Sequence, residues 1–332
     1  MNELVSVLMP VHNEATSVAA AVASVLEQTH QQLEVLVVDG RSDDDTRSIV
    51  ESISDPRVRL LDNPGITIPS GLNIGLRAAR GEYLARVDAH AAVNPEYVQL
   101  ALAHLSTDAQ LAAVGGQRLT VANTSVGRAI GLALSSPFGV GDSINHYAAQ
   151  AQLTDHASFG VYRTAVARSV GGWDESLTVN EDVDFDFRIL ASGLGIMYEP
   201  AMEIHWHVRE TLTDLGHQYR RYGRGKAAMV RKNGPTAIRL RHLAPPALVV
   251  NLGLAGAAIA TRRPRLALAL VAPYAAALTY ATAKTRSAAH AAQAPLTVFP
   301  VALMTMHLTW GVGFLEGLSG RSPALASQRR RG

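Results

Sequence analysis

The 332-residue chain contains no cysteine, which excludes a disulfide framework, a thiolate zinc site and redox thiol chemistry. Its opening, MNELVSVLMP, lacks a basic segment followed by a long apolar core. The sequence therefore predicts no signal peptide and a first domain that stays in the cytosol. No G-x-G-x-x-G follows the first apolar run, and no G-x-x-x-x-G-K-[ST] occurs anywhere. With the dinucleotide fingerprint and the P-loop both missing, any phosphate must be held another way. Charge is sparse, at 17% of residues against 48% hydrophobic. That balance excludes a disordered chain and leaves length for one large domain or two modest ones.

The net charge of +2 conceals an asymmetry. Residues 1–200 carry 12 Lys/Arg against 24 Asp/Glu, and residues 201–332 carry 18 against 4, so an acidic part precedes a basic one. A basic part suits nucleic acid or an anionic membrane surface. The apolar stretches Ala244 to Ala260, Leu266 to Ala283 and Pro295 to Leu315 interrupt its cations. Each approaches the roughly 20 residues that cross a bilayer, so membrane attachment is expected and nucleic-acid binding is not. If all three crossed, Arg262, Arg263, Arg265 and the terminal arginines would lie outside, against the positive-inside tendency. A first stretch lying in the interface would keep both clusters inside, and that topology is preferred. The expected organisation is a catalytic domain over 1–240, apolar helices over 241–320 and a basic tail over 321–332.

The first 240 residues repeat an apolar run, a polar turn and an amphipathic segment. Val5 to Pro10 is a short strand, and Val18, Ala21, Val22, Val25 and Leu26 then recur at helical spacing. Leu33 to Gly40 is too continuously apolar for a wet face and reads as a parallel strand buried on both sides. Asp43 to Asp45 can cap a helix through Val50. A strand is expected at Val58 to Leu61, a helix at Ser70 to Arg80 and a strand at Tyr83 to Val87. This order predicts an α/β fold, an open sheet covered by helices. Ligands of such sheets bind beyond the carboxyl ends of the strands, where Pro10 to Glu14, Asp39 to Asp43 and Asp88 to His90 fall.

Asp88 and His90, in the stretch RVDAHA, are two candidate metal ligands at a strand end. A divalent ion held by one or two side chains and by phosphate oxygens is a common way to compensate a diphosphate. Imidazole beside carboxylate suits manganese better than magnesium. By itself an aspartate there is equally a turn former or a cap.

Five motifs in order alter that balance: VSVLMPVHNE, EVLVVDGRSDDDT, ARGEYLARVDAH, NEDVDFDFRI and HQYRRYGRGK. Together they resemble the inverting family 2 glycosyltransferases with a GT-A fold, over about the first 230 residues. The nearest likeness is to the succinoglycan-type bacterial glucosyltransferases, which share R-V-D-A-H and an apolar C-terminal part. The resemblance implies an open mixed sheet followed by membrane helices. It also implies a nucleotide-sugar site formed by Pro10, Val11, His12, Asn13, Glu14, Asp39, Arg86 and Asp88. His90 stands where the family usually has the second aspartate of D-x-D, so a divalent metal, Mn2+ or Mg2+, would be held by Asp88 and His90, with His207 (preferred over His205) completing the shell.

Asp182, next to Glu181, is the implied general base, since inversion needs a group to take the acceptor hydroxyl's proton. A carboxylate at a helix start is otherwise a plain cap. Asp184 and Asp186 read as helix-surface charges. Gln218, Arg221 and Tyr222 match Q-x-x-R-W with tyrosine for tryptophan, and Arg221 suits a departing diphosphate. Arg220, Arg224, Lys226, Arg231 and Lys232 are expected to face anionic headgroups or a lipid-linked acceptor's phosphates. Trp173 is equally a sugar platform or core, and Asp155 and His156 are expected near the acceptor. The expected activity is hexose transfer, from UDP-glucose by resemblance, to a lipid-linked or polysaccharide acceptor in envelope or exopolysaccharide synthesis. The alternatives are a polyprenyl-phosphate sugar synthase and a catalytically silent membrane scaffold of the same fold.

Overall fold

A computed structural model of the chain describes residues 3–320; the basic tail, 321–332, lies outside the described residues. The first elements are β1 (Val5–Val11), α1 (Val18–Leu26), β2 (Leu33–Asp39), α2 (Thr46–Glu51), β3 (Val58–Asp62), α3 (Ile68–Ala78) and β4 (Tyr83–Arg86). They fall within two residues of the boundaries expected from periodicity. The largest shift is at α3, which begins early because the Thr67 hydroxyl accepts from the Ser70 amide and Pro69 sits in the first turn, an N-cap followed by a residue preset for helix.

The chain continues through β5 (Ala91–Val93), α4 (Tyr97–Thr107), β6 (Leu111–Val121), α5 (Ser125–Leu134), α6 (Pro137–Val140), β7 (Gln152–Leu153) and β8 (Val161–Arg163). It ends with α7 (Thr164–Ser169), α8 (Glu181–Ala191), β9 (Gly195–His207), α9 (Leu212–Asn233), α10 (Leu240–Ala260), α11 (Pro264–Ala291) and α12 (Val298–Leu318). Among the described residues two compact units emerge, one of 3–121 and 142–208 and one of 122–141 and 209–320. The boundary near 240 is thus one of composition, whereas the division by packing falls at 208/209.

In the first unit, nine strands among the described residues form one mixed sheet in the order β3-β2-β1-β4-β8-β6-β9-β5, with β7 paired to β9. β3, β2, β1 and β4 run parallel, and β8 turns antiparallel to both β4 and β6. Strand alternation sends Val5, Val7 and Met9 into one buried layer with α1 and α4. It sends Leu8 and Leu36 into another with Leu72, Leu84 and Phe185. Covering both faces is what an internal parallel strand requires.

One polar residue interrupts the apolar run of β2. Glu34 accepts from Ser6 Oγ at 2.7 Å, from the Arg80 amide at 2.8 Å and from the guanidinium groups of Arg80 and Arg59. Burial alone would raise its pKa, but these donors bring it below the ordinary value. The carboxylate therefore ties β1, β2, β3 and the end of α3 together instead of standing unpaired.

The second unit is helical. Among the described residues α10, α11 and α12 are long and apolar enough to cross a membrane, and α10 is one continuous helix despite Pro245 and Pro246 in its first two turns. α9 and α12 approach so closely that a Cβ at Gly313 would meet the Arg220 carbonyl and one at Gly223 the Trp310 carbonyl, the role small residues have where apolar helices pack. Glu316 pairs with both Arg220 and Arg224. Those two arginines, expected to face lipid headgroups or a lipid-linked acceptor's phosphates, keep part of their side chains exposed while pairing with a carboxylate just beyond the last apolar stretch.

Candidate active site

The site is built at one rim of the sheet. Parallel pairing brings the carboxyl ends of β1, β2 and β4 together, and antiparallel β8 brings its amino end to the same edge, where the Arg86 amide bonds the Gly160 carbonyl at 3.1 Å.

The turns after β1 and β2 are laced to each other. The Asn13 amide donates to Ser42 Oγ at 2.9 Å, the Asp43 amide to Asn13 Oδ1 at 2.9 Å and the Glu14 amide to Thr46 Oγ1 at 2.7 Å. Asp39, nearly fully buried, accepts from the Ser42 hydroxyl at 2.6 Å and lies 3.6 Å from Arg47. Asn13 and Arg41 both sit at positive φ, 57° and 59°, a conformation that costs most residues energy and here holds the turn shape. Gly40 permits the third turn to close over this corner, since a Cβ there would meet the Ile66 carbonyl at 2.9 Å. Pro10 and Val11 end β1 beneath the turn, and His12 is exposed at its tip.

The D-A-H segment joins this corner on one side and α8 on the other. Arg86, 8% exposed, donates to Asp88 Oδ1 at 2.8 Å and Oδ2 at 3.3 Å, and to Glu181 Oε1 at 3.2 Å. Burial works against Arg86's charge, but Asp88, Glu181 and Asp182 together keep it firmly protonated. Asp88 in turn lies below the ordinary carboxylate range: burial opposes this, and Arg86, His90 and Arg118 override it. His90 places Nδ1 3.4 Å from Glu14 Oε1. Glu14 also accepts from Ser17 Oγ at 2.8 Å, and against the pull of burial these contacts lower its pKa.

Asn180, at φ 63°, turns the chain into α8, whose first turn carries Glu181, Asp182 and Asp184. The two neighbouring carboxyls are pushed apart. Glu181 is raised to about 7 by burial and by Asp182, partly offset by Arg86. Asp182 is lowered, because His156, Arg86 and the Val183 amide outweigh its burial. Environments that split a carboxyl pair define one proton holder and one base. Asp182 keeps 36% of its side chain exposed, and so remains reachable.

One expectation is corrected and one open alternative is decided. Asp184 and Asp186 are fully buried, not surface charges. Arg188 Nε reaches Asp184 at 2.9 Å, while Asp186 takes His156 Nδ1 at 2.7 Å, the Ala157 amide at 2.8 Å and the Tyr162 hydroxyl at 3.1 Å. Trp173 offers no open face to a sugar. It is 2% exposed and stacks on Phe185 at 4.3 Å, with Tyr162 edge-on at 6.5 Å. Among the described residues no three His, Asp or Glu gather as a metal cage. Arg86 engages both Asp88 oxygens, and His90 lies beside Glu14. His207 and His205 are exposed near the end of β9, and His205 lies 3.8 Å from Glu203.

Gln218, Arg221 and Tyr222 belong to α9 in the second unit. Gln218 is buried and donates to the Tyr222 hydroxyl at 3.0 Å, and Arg221 is exposed. One residue of the rim carries no motif signal. Arg118, on β6 beyond the bulge that Gly116 allows, lies over Trp206 at 4.1 Å and contributes charge to both Asp88 and Asp182. The buried dyad His156–Asp186 was likewise legible only in part: Asp182 and Asp186 stand at i, i+4 and share a helix face.

Comparison with known proteins defines the class. Residues 6–170 match the pattern described as Glycosyl transferase family 2. The succinoglycan biosynthesis protein ExoA of Rhizobium meliloti is 31% identical over 94% of both chains. The chain belongs to this family: it is a glycosyltransferase, related to a protein of exopolysaccharide biosynthesis, whose family uses nucleotide-sugar donors. Over a shorter span, 26% of this chain and 34% of the other, it is 40% identical to the UDP-Glc:alpha-D-GlcNAc-diphosphoundecaprenol beta-1,3-glucosyltransferase WfgD of Escherichia coli. The mannosyltransferase PcManGT from Pyrobaculum calidifontis, solved in complex with GDP-Man and Mn2+, shares the fold at a TM-score of 0.60 and 20% identity, over 97% of this chain and 89% of its own.

Proposed function

We propose that the protein is a membrane-associated inverting hexosyltransferase that takes glucose from UDP-glucose to a lipid-linked acceptor on the cytosolic face. The observation that carries this is Arg86, which ties the D-A-H segment to the Glu181-Asp182 pair across 95 residues of sequence. The nucleotide stands in the laced corner of Asn13, Asp39 and Ser42. The acceptor hydroxyl gives its proton to Asp182, which is ionised and partly exposed, while the nucleoside diphosphate leaves on the side of Asp88. Glu181, raised to about 7, is only partly ionised near neutrality and so adds less negative charge beside the departing anion than an ordinary glutamate.

Asp88 and His90, with Glu14 beside them, offer the mixed oxygen and nitrogen donors that manganese accepts. They are too few to form a cage alone, which fits a site that diphosphate oxygens complete. A divalent ion bound there would supply positive charge to the diphosphate. His207 remains a candidate for the same shell, and Gln218, Arg221 and Tyr222 for the acceptor or diphosphate. The UDP-glucose donor and diphosphoundecaprenol acceptor in the name of WfgD, and the apolar helices of the second unit, support the choice of substrates.

The test is transfer of radiolabelled glucose from UDP-glucose to membrane lipid extract, with Mn2+ or with a chelator. Wild type should transfer, Asp182→Asn should lose about 10³-fold in rate, and UDP affinity should be unchanged. An unaltered rate in that variant would assign the base elsewhere. Transfer to bare polyprenyl phosphate, insensitive to the substitution, would mark a polyprenyl-phosphate sugar synthase. UDP binding without transfer would mark a silent scaffold.

A further inference from the structure

Asp186 is fully buried one helical turn beyond Asp182 on α8, where it accepts from the Ala157 amide and the Tyr162 hydroxyl and shares a hydrogen bond with His156 Nδ1. Burial raises the Asp186 pKa, and the contacts with His156 and the Ala157 amide oppose that rise; with Asp186 as the carboxylate, the hydrogen it shares with His156 sits on Nδ1. The ring is then fixed in orientation, with side-chain exposure of 15%, and its other nitrogen, Nε2, stands 4.0 Å from Asp182 Oδ2. That distance is too long for a hydrogen bond and short enough for attraction between charges in a partly buried setting.

We propose that Asp186 and His156 form a positioning pair for the catalytic base: Asp186 locks the imidazole, and the imidazole holds Asp182 ionised and aimed at the acceptor hydroxyl. The proposal rests on Asp182 being the base. His156 contributes charge and orientation and makes no bond to substrate, so it is a positioning residue.

The surroundings agree. Burial works against a charged His156, yet Asp186, Asp182 and Asp155 raise its pKa above the ordinary histidine value. Its other neighbours are the Tyr162 hydroxyl, which shares Asp186, and His146, whose own pKa burial drives well below the usual range, aided by Arg118 and His156. His146 is thus driven toward the neutral imidazole and His156 toward the charged one. His156 in turn is, with Arg86 and Arg118, among the cations that lower Asp182 against its burial.

The test uses the full-length protein in detergent with lipid extract. Histidine→glutamine at 156 (His156→Gln) should lower kcat for transfer from UDP-glucose about 10- to 100-fold, with KM for UDP-glucose and calorimetric UDP affinity within about 2-fold. Losing the cationic neighbour raises the Asp182 pKa, so the acid limb of the pH–rate profile should move up by about one unit. Asp186→Asn should shift both readings in the same direction by less. A His156→Gln variant whose acid limb stays in place, or whose loss lies wholly in UDP affinity, overturns the pair while leaving Asp182 as base. If Asp182→Asn itself transfers normally, the underlying reading fails instead.

A measurement free of turnover separates the two. With 15N-labelled histidine, the His156 ring signals, assigned by their loss in His156→Gln, should titrate at lower pH in Asp182→Asn than in wild type. An unchanged midpoint means the ring is not coupled to Asp182 and overturns the proposal.

Discussion

The two units hold similar apolar side chains in opposite surroundings. In the first, Val5, Leu8, Leu36 and Phe185 have no exposure at all, and each lies in a layer between sheet and helix. In the second, Leu240, Leu254, Ile259 and Leu268 are 86%, 56%, 67% and 69% exposed. Ordinary soluble surfaces carry such residues singly; here they recur along helices of membrane-crossing length. Polar groups differ as well. The first unit buries Glu34, Arg86, Glu181, Asp184 and Asp186 inside networks of partners, whereas in the second Glu316 pairs with the part-exposed Arg220 and Arg224. One unit is organised for water outside and specific polar contacts within, the other for an apolar exterior.

The comparison breaks most visibly at Trp173. If that ring is core, Trp173→Ala should cost about 3–5 kcal/mol in a urea titration followed by circular dichroism in detergent. A ring serving only as a sugar platform would cost stability little and acceptor KM much.

A smaller effect comes from the buried carboxyls of the first unit. Glu181 holds its proton to about 7 when folded, against 4.5 as the unperturbed value. Between those values the folded chain binds more protons than the unfolded one, so stability from this group is greatest at low pH and falls as pH rises toward 7. Glu181→Gln removes that slope. From pH 5 to pH 8 its unfolding free energy should gain on wild type, by at most about 3 kcal/mol, in parallel urea titrations. A constant difference across that range would mean Glu181 is ionised throughout.

The smallest effect on folding is expected at the exposed helices. Leu268→Ser should alter stability in detergent by about 0.5 kcal/mol or less, yet weaken partitioning into liposomes measured by flotation. Equal flotation of wild type and variant would remove α11 from the membrane-facing surface.

The elements of the first unit were legible because hydrophobic alternation and helical spacing are local signals: β2 reads off LEVLVV and α1 off Val18, Val22 and Val25. The motifs at the strand ends were legible because residue type and order carry them. Trp173, Asp184 and Asp186 were less so. A tryptophan after two glycines reads equally as platform or core until Phe185 stacks on it, and acidic residues at a helix start look solvated until Arg188, His156 and Tyr162 supply partners. Arg118 gave no signal, since a single cation on a strand is common and its meaning comes from Trp206, Asp88 and Asp182 around it.

The sequence alone determined the alternation of strands and helices, the positions of the polar turns and the three apolar stretches, because each depends on residues within a few turns of chain. Only the tertiary structure decided which carboxyl holds a proton and which gives it up. That choice depends on burial and on charges brought from far along the chain, as Arg86 is to Glu181 and His156 to Asp186, and no local pattern encodes such a meeting.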